Sequence, residues 1–319
     1  MYKAEEIVAE YGIAKDDLSR YLRDNSIPMV NEGEISEKYF QSVLSFIENQ
    51  EDRIQNKLRG EVADFENNGN RITIYQDDAI SFLEKLPSNS VDIIATDPAY
   101  SGMNNKLQLG KGRIVGKYSD KGKENGKWFF EFEDSEENYT KFLSECKRVL
   151  KKSTGHIYIM FDSYSLLSLG NIVRDHFDVK NLITWDKVNI GMGHYFRRRH
   201  EYIIFATNEN TRKIRNRKFP DVWRFKRIHN SAYPTQKPVE VFQAMIHASA
   251  EDGFTVCDPF LGSGSSAIAA IKNNCRFVGC DISDKSIETS TNRIQEFLNN
   301  SKDILQKKSM AVEENNFWE

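Results

Sequence analysis

Apolar runs of strand length alternate with helical patterns through most of this 319-residue chain, which leaves few architectures open to it. ITIY, VDIIATD, HIYIMF, VKNLITWD, EYIIFAT, FTVCDPF and RFVGCDIS are separated by the helical patterns DDAISFLEKL, SEENYTKFLSECKRVL, Ser165 to His176, VEVFQAMIHASA and SAIAAIKNN, with a last helix from Lys285. Strands buried on both faces read as near-continuous apolar runs, so this order predicts an α/β fold with a mostly parallel sheet and helices on both faces. No internal repeat is visible.

Composition narrows the class. Apolar residues make up 39% of the chain and charged ones 29%, as in soluble globular proteins. No apolar run is long enough for a membrane span, and MYKAEEIVAEYG is charged where a signal peptide would be apolar, so a cytoplasmic, membrane-free protein is expected. Cys146, Cys257, Cys275 and Cys280 form no CxxC pair and are expected as reduced core residues, with no metal site. The net charge of -3 argues against a uniformly basic coat, yet Lys121–Lys127, Arg197–Arg199 and Arg215–Lys218 are local basic clusters. Phosphate contact needs local positive potential, not positive net charge.

Residues 1–50 form a candidate small helical domain. KAEEIVAEYG and KDDLSRYLRDN read as two short helices joined at Gly12, and SIPMVNEGEISEKYF suits a short extended wing and a further helix. The pattern resembles the N-terminal half of MerR-like and excisionase-like helix-turn-helix domains; a helical lid or a dimerisation element fits it equally well. Residues 51–70 are charged and poor in strand formers, as a helical linker would be. The main domain is expected over 71–300, and a polar tail over 301–319.

Two segments carry chemistry. VDIIATDPAY ends a buried strand in Asp97, Pro98, Ala99 and Tyr100, at the sheet edge where open α/β folds bind ligands. A carboxylate and a backbone carbonyl there could hold both N–H groups of an exocyclic amine, and Tyr100 could stack on an extruded base. TVCDPFLGSGSSAIAAI is a strand, a glycine-rich turn and a helix, followed by a strand ending in Asp281, suited to ribose hydroxyls. Taken alone, this segment also satisfies the GxGxxA dinucleotide pattern, which leaves NAD open.

The order DPAY, then YPTQKP at Tyr233–Pro238, then DPFLGSGS and Asp281 closely resembles the β-class amino-methyltransferases of DNA, from about Arg71 to Gln295. That family is a circular permutation of the Rossmann-like methyltransferase fold, with the catalytic motif ahead of the cofactor motif. The resemblance implies S-adenosylmethionine as cofactor, double-stranded DNA as substrate and base flipping before transfer. Asp97, Pro98 and Tyr100 would be catalytic. The cofactor would lie on Asp78, Thr235, Lys237, Pro238, Asp258, Phe260, Gly262, Ser263, Gly264, Ser265, Asp281 and Ile282, with Asp77 a rival for Asp78. Helix capping by Asp78 and helix initiation by Pro238 are the plainer alternatives.

Two positions depart from the family pattern: Ala99 stands where Pro is usual, and Asp281 where Glu is frequent. An Asp at the head of the motif is typical of adenine-N6 enzymes, which puts adenine N6 ahead of cytosine N4 and of RNA. A non-catalytic DNA-binding regulator is the rival from another class. The segment near 187–233 is the candidate target-recognition region, with Arg197, Arg198, Arg199, Arg215 and Arg217 for phosphate contacts. A homodimer and a companion restriction endonuclease complete the expectations of this family.

Overall fold

The computed structural model describes residues 2–4, 18–19, 22, 27–30, 34–36, 38–43, 60–98, 132, 135–191, 196–215, 217–228, 233 and 236–305. Within the first 50 residues, β1 (Tyr2–Lys3), β2 (Met29–Val30) and β3 (Glu34–Ile35) form a small antiparallel sheet in the order β1-β3-β2. Leu18, Leu22, Ile27, Ile35 and Val43 make a core of their own beside it. The described part of this segment is therefore not purely helical: Met29–Val30 pairs with Glu34–Ile35 as a short hairpin.

The stretch 61–70, expected as the end of a linker, is a hairpin of the main sheet. β4 (Glu61–Asn67) pairs antiparallel with β5 (Asn70–Gln76). Asn68 and Gly69 turn between them with φ of 50° and 78°, the backbone that a two-residue Asn-Gly hairpin requires. Residues 61, 63, 65 and 67 are half-buried and their neighbours exposed, so Ala63 and Phe65 pack on the core while the other face meets water. The charged residues that suggested a linker are the solvent side of this edge strand.

The remaining elements follow in the order read from the apolar runs. They are α1 (Ala79–Lys85), β6 (Ile93–Thr96), α2 (Glu136–Val149), β7 (His156–Phe161), α3 (Ser163–His176), β8 (Asp178–Asp186), β9 (His200–Thr207) and β10 (Val222–Arg224). After these come α4 (Val239–Ser249), β11 (Thr255–Asp258), α5 (Ser265–Lys272), β12 (Arg276–Asp281) and α6 (Asp284–Asn300). The strands lie in the order β10-β8-β9-β7-β6-β11-β12-β5-β4. β7, β6, β11, β12 and β5 run parallel; β9 is antiparallel to both neighbours, as β4 is to β5. Residues of α4, α5 and α6 bury one face of the sheet, and residues of α1, α2 and α3 the other.

At the centre, β6 lies beside β11. From β6 the chain crosses through α2 to β7 on one side, and from β11 through α5 to β12 on the other. Strand order thus reverses between them, which opens a crevice beyond their carboxyl ends.

Past α6 the expected tail turns back. Asp303 pairs with the fully buried Arg293 at 2.7 Å, so residues 301–305 belong to the packed domain. The cysteines are buried free thiols, as expected of core residues. No helix among the described residues is long and apolar enough to cross a membrane.

His156 opens β7 at the amino end of the sheet, with no exposure to solvent. Its Nε2 faces the Arg212 carbonyl at 3.0 Å and so carries the proton, while Nδ1 meets the Ser249 hydroxyl at 2.7 Å. Burial lowers its pKa to about 4. A group whose folded pKa lies below its unfolded value contributes stability at pH above the unfolded value and loses it as pH falls. Between pH 7 and pH 5, His156 alone should cost about 2 kcal/mol of stability. Urea unfolding of the wild type and His156→Gln at both pH values checks this, and an identical pH dependence in the two would remove His156 as the cause.

Candidate active site

Thr96 and Asp258 end the two central strands, and both are fully buried. The Asp258 carboxyl accepts from Thr96 Oγ1 at 2.8 Å, Ser266 Oγ at 2.5 Å and the Phe260 backbone N–H at 3.0 Å. Burial pushes its pKa up to about 7, against the pull of those three donors. These bonds tie the residue before Asp97 to the loop after β11 and to the first turn of α5. The carboxyl expected to touch cofactor accepts from three protein donors, which hold the shape of the loop.

That loop has a backbone few side chains tolerate. Gly262 and Gly264 have φ of 52° and 80°, and a Cβ on Gly264 would lie 3.1 Å from the Ser290 Cβ on α6. The Gly262 N–H donates to Asp281 Oδ2 at 2.8 Å, and the Ser283 N–H to Oδ1 at 2.9 Å. Burial raises the Asp281 pKa, while the N–H groups of Ser283 and Gly262 oppose the shift. Next to this carboxylate, Ile282 is 44% exposed, an apolar surface beside an acceptor. Phe260 is half-buried and meets Phe132 and Phe142 edge-on. A glycine turn, the start of α5, a ribose-type acceptor and an apolar shelf suit S-adenosylmethionine, whose parts are anionic, hydroxylic and aromatic.

Asp97 follows β6, with Pro98 buried behind it. The Lys237 ammonium pairs with Asp97 Oδ2 and lies 3.7 Å from Glu201 Oε2. Glu201, near the start of β9, is bonded to Lys187 Nζ at 2.9 Å through its other oxygen. Two cations and two carboxylates thus alternate from Lys187 to Asp97. Burial pushes the Asp97 pKa up, and Lys237 pulls against it. Burial pulls Lys237 down, but Asp97 and Glu201 outweigh it and the ammonium stays charged. Burial likewise opposes ionisation of Glu201, which Lys237 and Lys187 nevertheless hold low.

Other expectations resolve unevenly. Tyr100 and Thr235 lie outside the described residues, as do Ala99 and the Lys121–Lys127 cluster. Asp78 is the N-cap of α1, accepting from the Ile80 and Ser81 backbone N–H groups; Asp77 pairs through its carboxylate with Lys85, and its N–H donates to the Asp281 carbonyl at 3.2 Å. Pro238 caps α4 without a side-chain bond, as a helix-initiating proline does. Lys237 reaches Asp97, a partner that the resemblance does not assign to it. Ser263 and Ser265 are buried against Arg293, which donates to Ser263 O at 2.9 Å and Ser265 Oγ at 3.0 Å.

The basic clusters separate. Arg197, Arg198 and Arg199 precede β9 at the carboxyl end of the sheet, where Arg199 grips Asp186 with two bonds of 2.7 Å and Arg197 donates to the Gly191 carbonyl. The Arg215 N–H bonds the Ala248 carbonyl at the far end of α4. That end is about 16 Å along the helix from Lys237. Arg217 lines a cavity of about 640 Å³ with Trp223, Phe205 and Lys180 at the same distant end. Sequence reading missed Thr96, Glu201, Lys187, Arg293 and Asp303. The one available signal was a charged residue on an apolar element: Glu201 within HEYIIFAT, and Arg293 beside Ile294 on the inner face of the last helix.

Residues 91–292 match the family of N6/N4 DNA methylases. The chain is 28% identical over 252 residues to the type II methyltransferase M2.DpnII of Streptococcus pneumoniae, covering 72% of this chain and 91% of that protein. Its fold is similar to that of the M1.HpyAVI-SAM complex, with a TM-score of 0.51 and 19% identity over 70% of this chain and 99% of that one. It is likewise similar to the cytosine-N4-specific PvuII DNA methyltransferase, with a TM-score of 0.53 and 14% identity over 71% and 91%. The chain belongs to the N6/N4 DNA methylase family, enzymes that methylate DNA with S-adenosylmethionine as donor.

Proposed function

We propose that this enzyme methylates the N6 amine of adenine in double-stranded DNA, on a base extruded into the crevice at the ends of β6 and β11. The observation that carries this reading is the Asp258 carboxyl, which bonds the end of the Asp97 strand to the glycine loop and so holds the two halves of a transfer site together. In this reading Gly262, Gly264, Asp281 and Ile282 hold the cofactor, with Phe260 beside them. When bound, S-adenosylmethionine supplies a methyl group already activated on positive sulfur.

The chain's own task is to make a weak nucleophile attack. An exocyclic amine has its lone pair delocalised into the ring, and acceptors that take both N–H groups favour attack by that nitrogen. Asp97 and the Pro98 carbonyl form such a pair. Burial raises the proton affinity of Asp97, which strengthens it as the acceptor for the proton that the amine sheds. Lys237 neutralises the half-buried carboxylate before substrate arrives and fixes its direction. Positioning and acceptor electrostatics carry most of the rate enhancement.

Arg197, Arg198 and Arg199 are the phosphate-contact residues in this reading, because their segment leads into β9 at the site end. Arg215 and Arg217, at the other end of α4, serve it only where DNA wraps the domain. The same acceptor pair would serve cytosine N4, so the target base has to be read from product. A restriction endonuclease of matching specificity is the companion implied by type II relatives, and a homodimer the assembly.

Labelled methyl transfer from S-adenosylmethionine to mixed-sequence duplex DNA, digested to nucleosides, should yield N6-methyladenine; N4-methylcytosine would overturn the base assignment. Asp97→Asn should lower kcat by about 100-fold or more, the range seen when one preorganised polar contact is lost. Its affinity for S-adenosylhomocysteine, measured by calorimetry, should stay within about threefold of wild type. Wild-type turnover in that variant would remove Asp97 from the chemistry.

A further inference from the structure

Arg293 has no exposure to solvent, yet it lies between the glycine loop and the segment that follows the last helix. Its Nε and Nη2 donate to the two oxygens of Asp303 at 2.8 and 2.7 Å. Its Nη1 donates to Ser263 O at 2.9 Å, Ser265 Oγ at 3.0 Å and Ser263 Oγ at 3.3 Å. Ser265 Oγ in turn donates to the Lys237 carbonyl at 2.7 Å. One guanidinium therefore fastens both walls of the crevice: the loop after β11 directly, and the Lys237 segment through Ser265.

We propose that Arg293, braced by Asp303, is a positioning residue for cofactor binding: it sets the shape of the Ser263–Ser265 turn and its register against Lys237. The inference rests on the reading that this turn holds S-adenosylmethionine. Three observations converge on it. A buried arginine must be paired, and here the partner comes from residues 301–305, beyond the stretch matched to the family. The planar fork is used in full, one edge on a carboxylate and the other on the turn, a task for which a lysine point charge lacks the geometry. Ser286, Ser290 and Arg293 lie along one face of α6 at helical spacing: Ser286 bonds the Tyr233 hydroxyl at 2.9 Å, Ser290 abuts Gly264, and Arg293 takes the turn. The small serines let α6 approach the loop closely enough for the guanidinium to reach it.

A residue that orders a binding turn without touching the reacting atoms should act on affinity and leave the transfer step alone. Arg293→Lys and Asp303→Asn are the tests, because they keep size and leave the sheet untouched. Both should weaken S-adenosylhomocysteine binding and raise KM for S-adenosylmethionine by about tenfold, with kcat at saturating cofactor within about threefold of wild type. Without cofactor, amide exchange at 261–266 should speed up while exchange in β7 stays as it was. Wild-type affinity and exchange in Asp303→Asn would overturn the proposal. So would an Arg293→Lys protein that is less stable but whose folded fraction binds with wild-type affinity. Gly264→Ala separates this from the parent reading: unchanged S-adenosylhomocysteine affinity there would mean that the turn does not hold the cofactor at all.

Discussion

Asp258 is a carboxyl group with no access to water at the point where two parallel strands end, and its three donors come from three parts of the chain. Thr96 belongs to the strand that delivers Asp97, Phe260 to the glycine loop, and Ser266 to the helix beyond it. Removing a carboxyl from water costs several kcal/mol unless its acceptor capacity is filled, so the three donors cannot drift apart without exposing that cost. These bonds hold the two sides of the crevice together. Its floor is a buried polar knot between β6 and β11, and the reversal of strand order there sends the two chemical segments to opposite sides of it.

The second constraint is electrostatic. In the proposed reading Asp97 is an acceptor in a half-buried place, and an uncompensated carboxylate there would rather bind a proton. Alternation of Lys187, Glu201, Lys237 and Asp97 solves this with charges from three further segments. It also couples β9 to the site. β9 runs antiparallel to both of its neighbours, and its reversed direction brings Glu201 and the arginines before it to the carboxyl edge. A parallel strand in that place would have delivered the other end of HEYIIFAT, which is apolar.

What could be read in the sequence divides along a physical line. The strands announce themselves because burial on both faces demands unbroken apolar runs, and the ordered motifs because their chemistry tolerates few residue types. β4 stayed hidden because an edge strand is half solvent-facing and reads as charged sequence; the Asn68-Gly69 pair is the local signal of the hairpin that the charge pattern masked. Asp258 and Asp78 look alike as acids near motif residues, yet one is a buried tie and the other a helix cap, a difference set by tertiary partners. Arg293 and Asp303 were unreadable as a pair because nothing local in a helix or a polar tail says that the two meet inside the fold.

The basic clusters show how strand direction turns sequence proximity into spatial separation. Arg199 and Arg215 are close neighbours along the chain, yet the eight residues of β9 carry the backbone from the carboxyl edge of the sheet to its amino edge between them. At about 3.3 Å per residue that run is about 26 Å, longer than the width of a DNA groove. Of the two described clusters, Arg197–Arg199 is the one on the side where Asp97 opens, anchored there by Asp186 and the Gly191 carbonyl. Positive charge that steers DNA to the crevice must act within a Debye length of about 8 Å at physiological salt, which favours this cluster over the distant one.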